Sequence, residues 1–301
     1  MHVLFLACGG PDRAPVSRTV LDDYRGIPAV SRFDYLDLPE VPSRKDLIPV
    51  DEAARTALPV DPTPGLNELA ASPDIDHLGA PQRAPQEPEE ALRVIVGGTD
   101  AALSAVLTRL MRSDRMWVEV GYVPVDPASP AAANFGLPAD PLDALALALG
   151  GQVHPVPLIR DDSAVAVAGS ATVSCLDHTA EITGEVIVDD HTLLNHQPSG
   201  KSPRRGVYGA RLVPMLEAPG IAAAVADSPL EPVPGGVIDR ILHRTRPHGT
   251  VIAESICTGR ALQAGGVNLR ITVDGVPRPR PAERVTFYRH LRDLQIIRPR
   301  A

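Results

Sequence analysis

The clearest pattern of apolar and polar positions lies in the middle of the chain, from Leu92 to Pro138. An apolar run, Leu92 to Val96, stops at two glycines, and from Thr99 the apolar positions recur at the spacing of a helix. A second apolar run, Met116 to Val123, leads through a proline-containing loop to an alanine-rich segment that ends at Gly136. This order of strand, turn, helix, strand and loop predicts an open α/β sheet, in which ligands sit at the carboxyl ends of the strands.

The segments that flank this stretch differ from one another in composition and periodicity. The apolar run His2 to Ala7 predicts a first strand, and Asp140 to Leu149 predicts a helix that stops at paired glycines. Between about residues 34 and 90 the chain is rich in proline and acidic residues and has weak periodicity. Such a segment cannot bury enough apolar surface to offset its ordering entropy, so we predict a loosely attached insertion with one helix at Leu66 to Ala71.

After residue 150 the chain consists of short β-branched runs separated by glycine, proline and aspartate. Repeated short strands with turn signals predict an antiparallel sheet or a sandwich. We therefore expect an α/β lobe over residues 1–150 and an all-β sandwich over residues 151–301. The predicted strands are Val153–Ile159, Ala164–Ala168, Glu181–Val188, Val207–Val213, Thr250–Ile256, Leu269–Val273, Val285–Tyr288 and Leu294–Ile297.

Two motifs in the central stretch resemble those of the diacylglycerol kinase catalytic domain family, the lipid-kinase branch of a superfamily that also contains the NAD kinases. Gly97 and Gly98 match the first two residues of the family motif Gly-Gly-Asp-Gly-Thr. The segment Val123–Pro138 lies without a gap on a second motif, Ile-Pro-Leu-Gly-Thr-Gly-Asn-Asp-Phe-Ala-Arg-x-Leu-Gly-Ile-Pro, in which Ala132 keeps its place. A third segment, Asp274-Gly275, resembles the family's C-terminal Val-Asp-Gly-Glu turn, although this dipeptide is also common in hairpins.

The resemblance implies a two-domain kinase fold that uses ATP and Mg²⁺ in the cleft between its domains. Carried onto this chain, it implies a nucleotide site at Gly97, Gly98, Thr99, Asp126 and Ser129. The aspartate of the first motif falls on Thr99, so Asp100, one position later, is the candidate for the catalytic carboxylate.

The phosphate-side residues of the second motif depart from the family pattern, because its Gly-Thr-Gly-Asn-Asp falls on residues 126–130, which read Asp-Pro-Ala-Ser-Pro. The two prolines remove two backbone N–H donors. Asp126 adds a negative charge near the expected phosphate, and like charges about 4 Å apart cost roughly 4 kcal/mol at an effective dielectric near 20. We therefore predict a degenerate lipid-kinase-like protein that binds a lipid, a partner or an altered nucleotide in the cleft without efficient phosphoryl transfer. The alternative is an active ATP- and Mg²⁺-dependent kinase of a diacylglycerol-like alcohol, in which Asp100 or Asp126 takes a metal or base role.

Composition narrows the classes of function that remain. A net charge of −8 over 301 residues predicts no general affinity for nucleic acid. Three well separated cysteines favour reduced thiols and a cytoplasmic protein. The histidines and aspartates between residues 178 and 196 do not have the spacing of a compact metal motif, so we expect no metal site there; they are His178, Asp189, Asp190, His191 and His196.

Basic residues collect in two places. Lys201 follows a glycine and precedes a serine, as in a phosphate-binding loop, but Pro203 opposes the helix that such a loop needs, so a solvated hairpin tip is expected. The C-terminal arginines could face an anionic membrane at about 1 kcal/mol per residue. The interpretation we favour is that they lie on exposed strands or at a homodimer contact; they are Arg278, Arg280, Arg284, Arg289, Arg292, Arg298 and Arg300.

Overall fold

The structure is a computed structural model that describes residues 1–10, 14–23, 29–60, 64, 67–68, 71, 79–197, 206–231 and 248–300. The basic loop around Lys201 lies outside the described residues, and so does most of the predicted helix Leu66–Ala71.

A four-stranded parallel sheet forms the centre of the N-terminal lobe, with strand order β2-β1-β3-β4. Every residue of β1 and of β3 is buried, as expected for continuous apolar runs that are covered on both faces. The strands are β1 (His2–Cys8), β2 (Arg32–Leu38), β3 (Leu92–Gly98) and β4 (Glu119–Pro124).

Helices cover this sheet, and three of them begin at capping side chains that can be found in the sequence. Thr99, Ser129 and Asp140 each accept a backbone N–H from the first turn of the helix that follows. The predicted order of strand, turn, helix and strand in the central stretch is confirmed, although β4 begins at Glu119 rather than at Met116. The helices are α1 (Arg18–Asp23), α2 (Ile48–Ala57), α3 (Asp100–Arg112), α4 (Pro130–Phe135) and α5 (Pro141–Gly150).

The first part of the predicted insertion belongs to the lobe itself, so that prediction is wrong for residues 34–57. β2 pairs in parallel with β1 along its whole length, from Arg32 opposite His2 to Leu38 opposite Cys8. Helix α2 buries one face, Val50, Ala54 and Ala57, in the core that also contains β3. Local composition was misleading because β2 is an edge strand whose residues are at most partly buried, and backbone pairing with β1 stabilises a segment rich in polar residues.

The C-terminal half forms an antiparallel sheet of eleven strands among the described residues, as its repeated short runs predict. Its longest strand, β13, pairs with β15 on one side and, on the other, with β8 through its first half and β7 through its second. The strands are β5 (Ile159–Asp161), β6 (Ala166–Val167), β7 (Ala171–Cys175), β8 (Gly184–Val188), β9 (His191–His196), β10 (Gly209–Pro214), β11 (Ile221–Ala226), β12 (Cys257–Gly259), β13 (Ala261–Val273), β14 (Val276–Pro277) and β15 (Ala282–Arg289).

Several elements of this half differ from the sequence-based expectation. The predicted strands Val153–Ile159 and Leu294–Ile297 pair with each other only through the isolated bridges Val153–Ile297 and Val156–Leu294, and β5 begins at Ile159. Strands β7, β9 and β12 were not predicted.

The predicted strand Thr250–Ile256 is wrong, because Ala253–Ser255 forms a 3-10 turn and only Val251 makes an isolated bridge. The Ser255 hydroxyl accepts the N–H of Val225 at 2.9 Å, which holds this turn against the sheet. Conversely, β11 has no strong sequence signal because it is rich in alanine, which has a low strand propensity.

One of the three hydrophobic clusters among the described residues contains residues of both lobes, while the C-terminal sheet also has a core of its own. After β15 the chain returns to the parallel sheet, where Ile296 bridges Val120 of β4. Leu294 and Ile296 are buried in the same cluster as β3, β4 and α3, together with Val156 and Leu158 from the start of the second half. None of the described helices is long and apolar enough to cross a membrane.

Candidate functional site

The side chain of Asp100 lies at the centre of the site that the sequence predicts. Capping by Thr99 starts α3 at this residue, and the carboxylate is buried. Its Oδ1 accepts hydrogen bonds from the hydroxyls of Tyr122 at 2.8 Å and Ser129 at 2.7 Å. Its Oδ2 accepts the N–H of Ala131, in the first turn of α4, at 2.9 Å. The carboxylate is therefore held by three donors, and it already occupies the anion position at the start of α4.

Tyr122 is a donor to this carboxylate because its hydroxyl stays protonated. Burial raises the pKa of the phenol, and the charge and hydrogen bond of Asp100 raise it further. The same hydroxyl lies 3.1 Å from the carbonyl oxygen of Gly98, which ties the end of β3 to β4. The sequence does not indicate a role for Tyr122, because the residue lies within an apolar run that predicts a strand. Only the tertiary structure brings its hydroxyl to Asp100.

The loop between β4 and α4 bonds almost entirely to itself and to its neighbours. The N–H of Val125 bonds the Gly98 carbonyl at 2.9 Å, and the N–H groups of Ala128 and Ser129 bond the side chain and carbonyl of Asp126 at 2.9 and 3.0 Å. The N–H groups of Ala132 and Ala133 bond the hydroxyl and carbonyl of Ser129, at 3.3 and 3.0 Å. The prolines at 127 and 130 have no N–H to offer. In the described part of the chain, Asp126 is thus the one loop residue whose N–H has no acceptor.

Asp274 is a buried carboxylate with a structural task. It lies in the turn between β13 and β14, where Asp274 has φ 49° and Gly275 has φ 80°. The backbone of this dipeptide is therefore that of a hairpin turn, the alternative to the family motif that the sequence left open. Its carboxylate accepts the N–H groups of Ala168, Gly169 and Ser170 at 2.8, 2.7 and 2.9 Å. Burial raises its pKa to about 7, and the charge of Asp100 adds to this effect while the three N–H donors oppose it.

Gly169 separates the two carboxylates and joins the lobes. A Cβ at this position would lie 2.6 Å from Oδ2 of Asp100 and 2.6 Å from the backbone nitrogen of Ala131. The Asn134 side chain of α4 donates to the Gly169 carbonyl at 2.8 Å. All three motifs identified in the sequence therefore meet at Gly169, which the sequence did not identify, because nothing local in a Gly-Ser pair indicates such a contact.

Comparison with known proteins identifies the architecture. No protein-family model matches the chain, and no curated protein sequence matches it. Among solved structures, a diacylglycerol kinase from Bacillus anthracis matches with a TM-score of 0.57 at 9% identity, over 99% of this chain and 97% of that one. A putative diacylglycerol kinase from the same organism matches with a TM-score of 0.54 at 8% identity, over 100% and 99% of the two chains. The fold is that of the diacylglycerol kinases.

An NAD kinase from Archaeoglobus fulgidus in complex with ATP is more distant, with a TM-score of 0.47 at 10% identity, over 99% of this chain and 94% of that one. The predicted two-domain fold is confirmed, with a parallel α/β lobe followed by an antiparallel sheet domain.

Within this diacylglycerol kinase fold, Gly97 and Gly98 have a packing role. A Cβ on Gly97 would lie 2.8 Å from the ring of Phe5, and one on Gly98 would lie 2.9 Å from the Cβ of Cys8. Both glycines are buried inside β3 and allow β1 to approach closely. Contacts with β1 and, for Gly98, with Ala102 of α3 give both glycines a packing role that does not depend on a nucleotide.

The remaining candidates of the sequence lie away from this junction. Asp189 has φ 51° and accepts the N–H groups of Arg260 and Ala261, so it stabilises a turn between β8 and β9. Among the described residues, no three His, Cys, Asp or Glu side chains are grouped to hold a metal ion. Of the C-terminal arginines, Arg289 pairs with Asp293 inside the protein and Arg298 is buried, so they do not all share one exposed face.

A groove of about 510 Å³ opens beside this junction, between the two lobes. It runs along the face of α3 that begins at Ala101, next to Asp100, and its opposite wall is the β13–β14 hairpin. This volume is within the range of small-molecule sites in proteins.

Proposed function

We propose that this protein is a non-catalytic member of the diacylglycerol kinase fold, which binds a ligand in the cleft between its lobes without transferring a phosphoryl group. The proposal rests on the loop between β4 and α4, where nearly all backbone N–H groups already have acceptors within the protein. A loop that binds phosphate needs N–H groups that are free to bond the anion. Here Asp100 already bonds the start of α4, and Asp126 and Ser129 take the donors around it.

ATP and Mg²⁺, which the family resemblance implies, do not fit the loop in this arrangement. A phosphate that binds the N–H of Ala131 would have to displace Oδ2 of Asp100 from it. Loss of this charge-assisted hydrogen bond, about 1.5–3 kcal/mol, would weaken phosphate binding about 10- to 150-fold, and repulsion between the two anions would weaken it further. Asp126, which is exposed in this loop, adds further repulsion.

The test is titration of the purified full chain with ATP and Mg²⁺ by isothermal calorimetry, up to millimolar nucleotide. We expect no heat of binding and no thermal stabilisation. The triple variant Asp126→Gly, Pro127→Thr, Ala128→Gly frees or adds donors and removes the loop charge, so its affinity for ATP should rise. Micromolar binding by the wild-type protein would refute the proposal, and so would an unchanged affinity in the triple variant when the wild type already binds.

The second candidate is an active lipid kinase that phosphorylates a diacylglycerol-like alcohol. One observation favours it: burial raises the pKa of Asp274 to about 7, which is the range of a general base. Asp100 or Asp126 would then need to leave its present hydrogen bonds to take a metal or base role. Transfer of labelled phosphate from ATP to diacylglycerol in mixed micelles, abolished in Asp100→Asn and Asp274→Asn, would support this candidate over the first.

A further inference from the structure

The groove beside α3 has a floor of small side chains. Ala101, Ser104, Ala105 and Thr108 follow one another along one face of the helix at helical spacing, and all four line the groove. The opposite face of α3 carries the large apolar residues that pack on the sheet, such as Leu103 and Leu107. The small residues therefore leave space beside this face of the helix.

The walls of the groove are apolar. Leu47 and Val273 are buried in its sides, while Val41 and Val276 stand at the rim with 45% and 47% of their surface exposed. Covering the exposed apolar surface at the mouth of a groove with a hydrocarbon lowers the free energy, because that surface is removed from water. An extended alkyl chain has the shape and the chemistry that this space offers.

Positive charge is concentrated along the same groove, since Arg44, Arg109, Arg112 and Arg278 line it. Arg112 donates only to the backbone carbonyls of Ala164 and Ser163, at 2.9 and 2.8 Å. Arg44 is exposed and has no ion-pair or hydrogen-bond partner among the described residues. Two of the four guanidinium groups thus have no carboxylate partner within that part of the chain.

The other two arginines form ion pairs with aspartates, but each still has an N–H donor without an acceptor among the described residues. Arg109 bonds Asp51, and Arg278 bonds Asp161 at 2.7 Å and also Asp162. The Nε–H of each arginine is buried and has no acceptor. Arg44 and Arg112 therefore remain without a carboxylate partner in the described part of the chain, and the buried Nε–H groups of Arg109 and Arg278 have no acceptor there.

We propose that this groove binds a long-chain fatty acid, with its carboxylate among the arginines and its acyl chain along the small residues of α3. A carboxylate carries a negative charge that arginines without a carboxylate partner can neutralise, and it can accept two parallel hydrogen bonds from one guanidinium group. A phosphate monoester would bring nearly two charges, and a neutral alcohol would leave the positive charge uncompensated. The inference rests on the proposed function, because it identifies the ligand of the cleft.

The test titrates the full chain with saturated fatty acids of increasing length, kept below their micelle concentrations, by calorimetry. The dissociation constant should fall about fourfold for each added methylene until the groove is full, as expected for about 0.8 kcal/mol per buried CH₂. The alcohol and the alkyl trimethylammonium of equal length should bind at least about tenfold more weakly, because they lose the charge-assisted bonds. Equal binding of acid and alcohol would overturn the assignment of the head group, and tighter binding of the alkyl phosphate would replace the carboxylate by phosphate.

Two pairs of variants separate the groove from nonspecific binding. Ala105→Phe places a ring on the floor and should abolish binding, while Ala146→Phe, on the exposed face of α5, should leave it unchanged. Arg112→Gln should weaken binding about tenfold, while Arg55→Gln, an equal change of charge on the exposed face of α2, should not. Thermal melting checks that each variant folds. Binding that survives Ala105→Phe, or no binding of any chain length by the wild type, would overturn the inference.

Failure of this inference and failure of the proposed function give different results. If ATP does not bind and fatty acids do not bind, the non-catalytic proposal stands and only the ligand is wrong. If ATP binds at micromolar concentration while fatty acids still bind and Ala105→Phe still blocks them, the groove assignment stands and the non-catalytic proposal is wrong.

Discussion

Replacement of Asp100 by asparagine tests most directly whether this carboxylate is a structural anion. The three donors to Asp100 approach both of its oxygens, two at Oδ1 and the N–H of Ala131 at Oδ2. An asparagine keeps one acceptor oxygen, which the hydroxyls of Tyr122 and Ser129 can still use, and directs an NH₂ group at the N–H of Ala131. The variant therefore loses one charge-assisted hydrogen bond, about 1.5–3 kcal/mol, and leaves a buried N–H without an acceptor, about 1–3 kcal/mol.

We expect Asp100→Asn to lower the free energy of unfolding by about 3–5 kcal/mol, measured by urea denaturation with linear extrapolation at neutral pH. Asp126→Asn is the matched control, because Asp126 is exposed and its side chain accepts only the N–H of Ala128; its effect should stay below about 1 kcal/mol. A carboxylate that is kept for catalysis at the expense of stability would behave in the opposite way, since its removal would stabilise the protein. A neutral or stabilising Asp100→Asn would thus refute the structural role.

Two further predictions concern the same junction. Because the pKa of Asp274 is raised from 3.8 to about 7, its stabilising contribution is complete below pH 3.8 and is lost as the pH rises through about 7. The free energy of unfolding should fall by up to about 1.4 kcal/mol per pH unit across this window, and a slope that persists in Asp274→Asn would assign it to another group. Gly169→Ala should destabilise the protein by about 1–3 kcal/mol, because its Cβ would meet Asp100 and Ala131 at 2.6 Å. Gly150→Ala, whose Cβ would meet nothing within 4 Å, is the control and should be neutral, so equal effects of the two changes would contradict the packing argument.

The extent to which sequence predicted the site differed from residue to residue. Thr99 and Ser129 were named as candidate nucleotide contacts, and in the structure both side chains cap helices. A hydroxyl before an apolar helical period is a local signal for such a cap. Asp100 and Asp274 were found through spacing, as parts of a motif frame, while their partners were not. No local sequence signal indicates the roles of Tyr122 and Gly169, because Tyr122 lies within a strand and Gly169 lies in a bend of the chain.

In the acidic segment after β1, amino-acid composition did not predict the strand and the helix that form there. The alternation of polar and apolar residues in β2 was hidden by its aspartates, and α2 by its short apolar face. Both elements are stabilised by long-range partners, β1 for the strand and the core around β3 for the helix. Local propensity cannot report such partners, because the free energy of a half-buried element comes from what it contacts.

The sequence by itself determined the architecture: a period change at Thr99 and repeated short strands were enough to predict an α/β lobe followed by an antiparallel sheet. The residues at 126–130 also predict, without any coordinates, a loop with fewer backbone N–H donors than the family motif has. Only the tertiary structure decided where the remaining donors go and what replaces the anion, because Asp100, Tyr122 and Ala131 are brought together by three separate elements. The groove and its arginines depend on the packing of the lobes for the same reason: its charge balance comes from residues between 44 and 278, which no local pattern relates to one another.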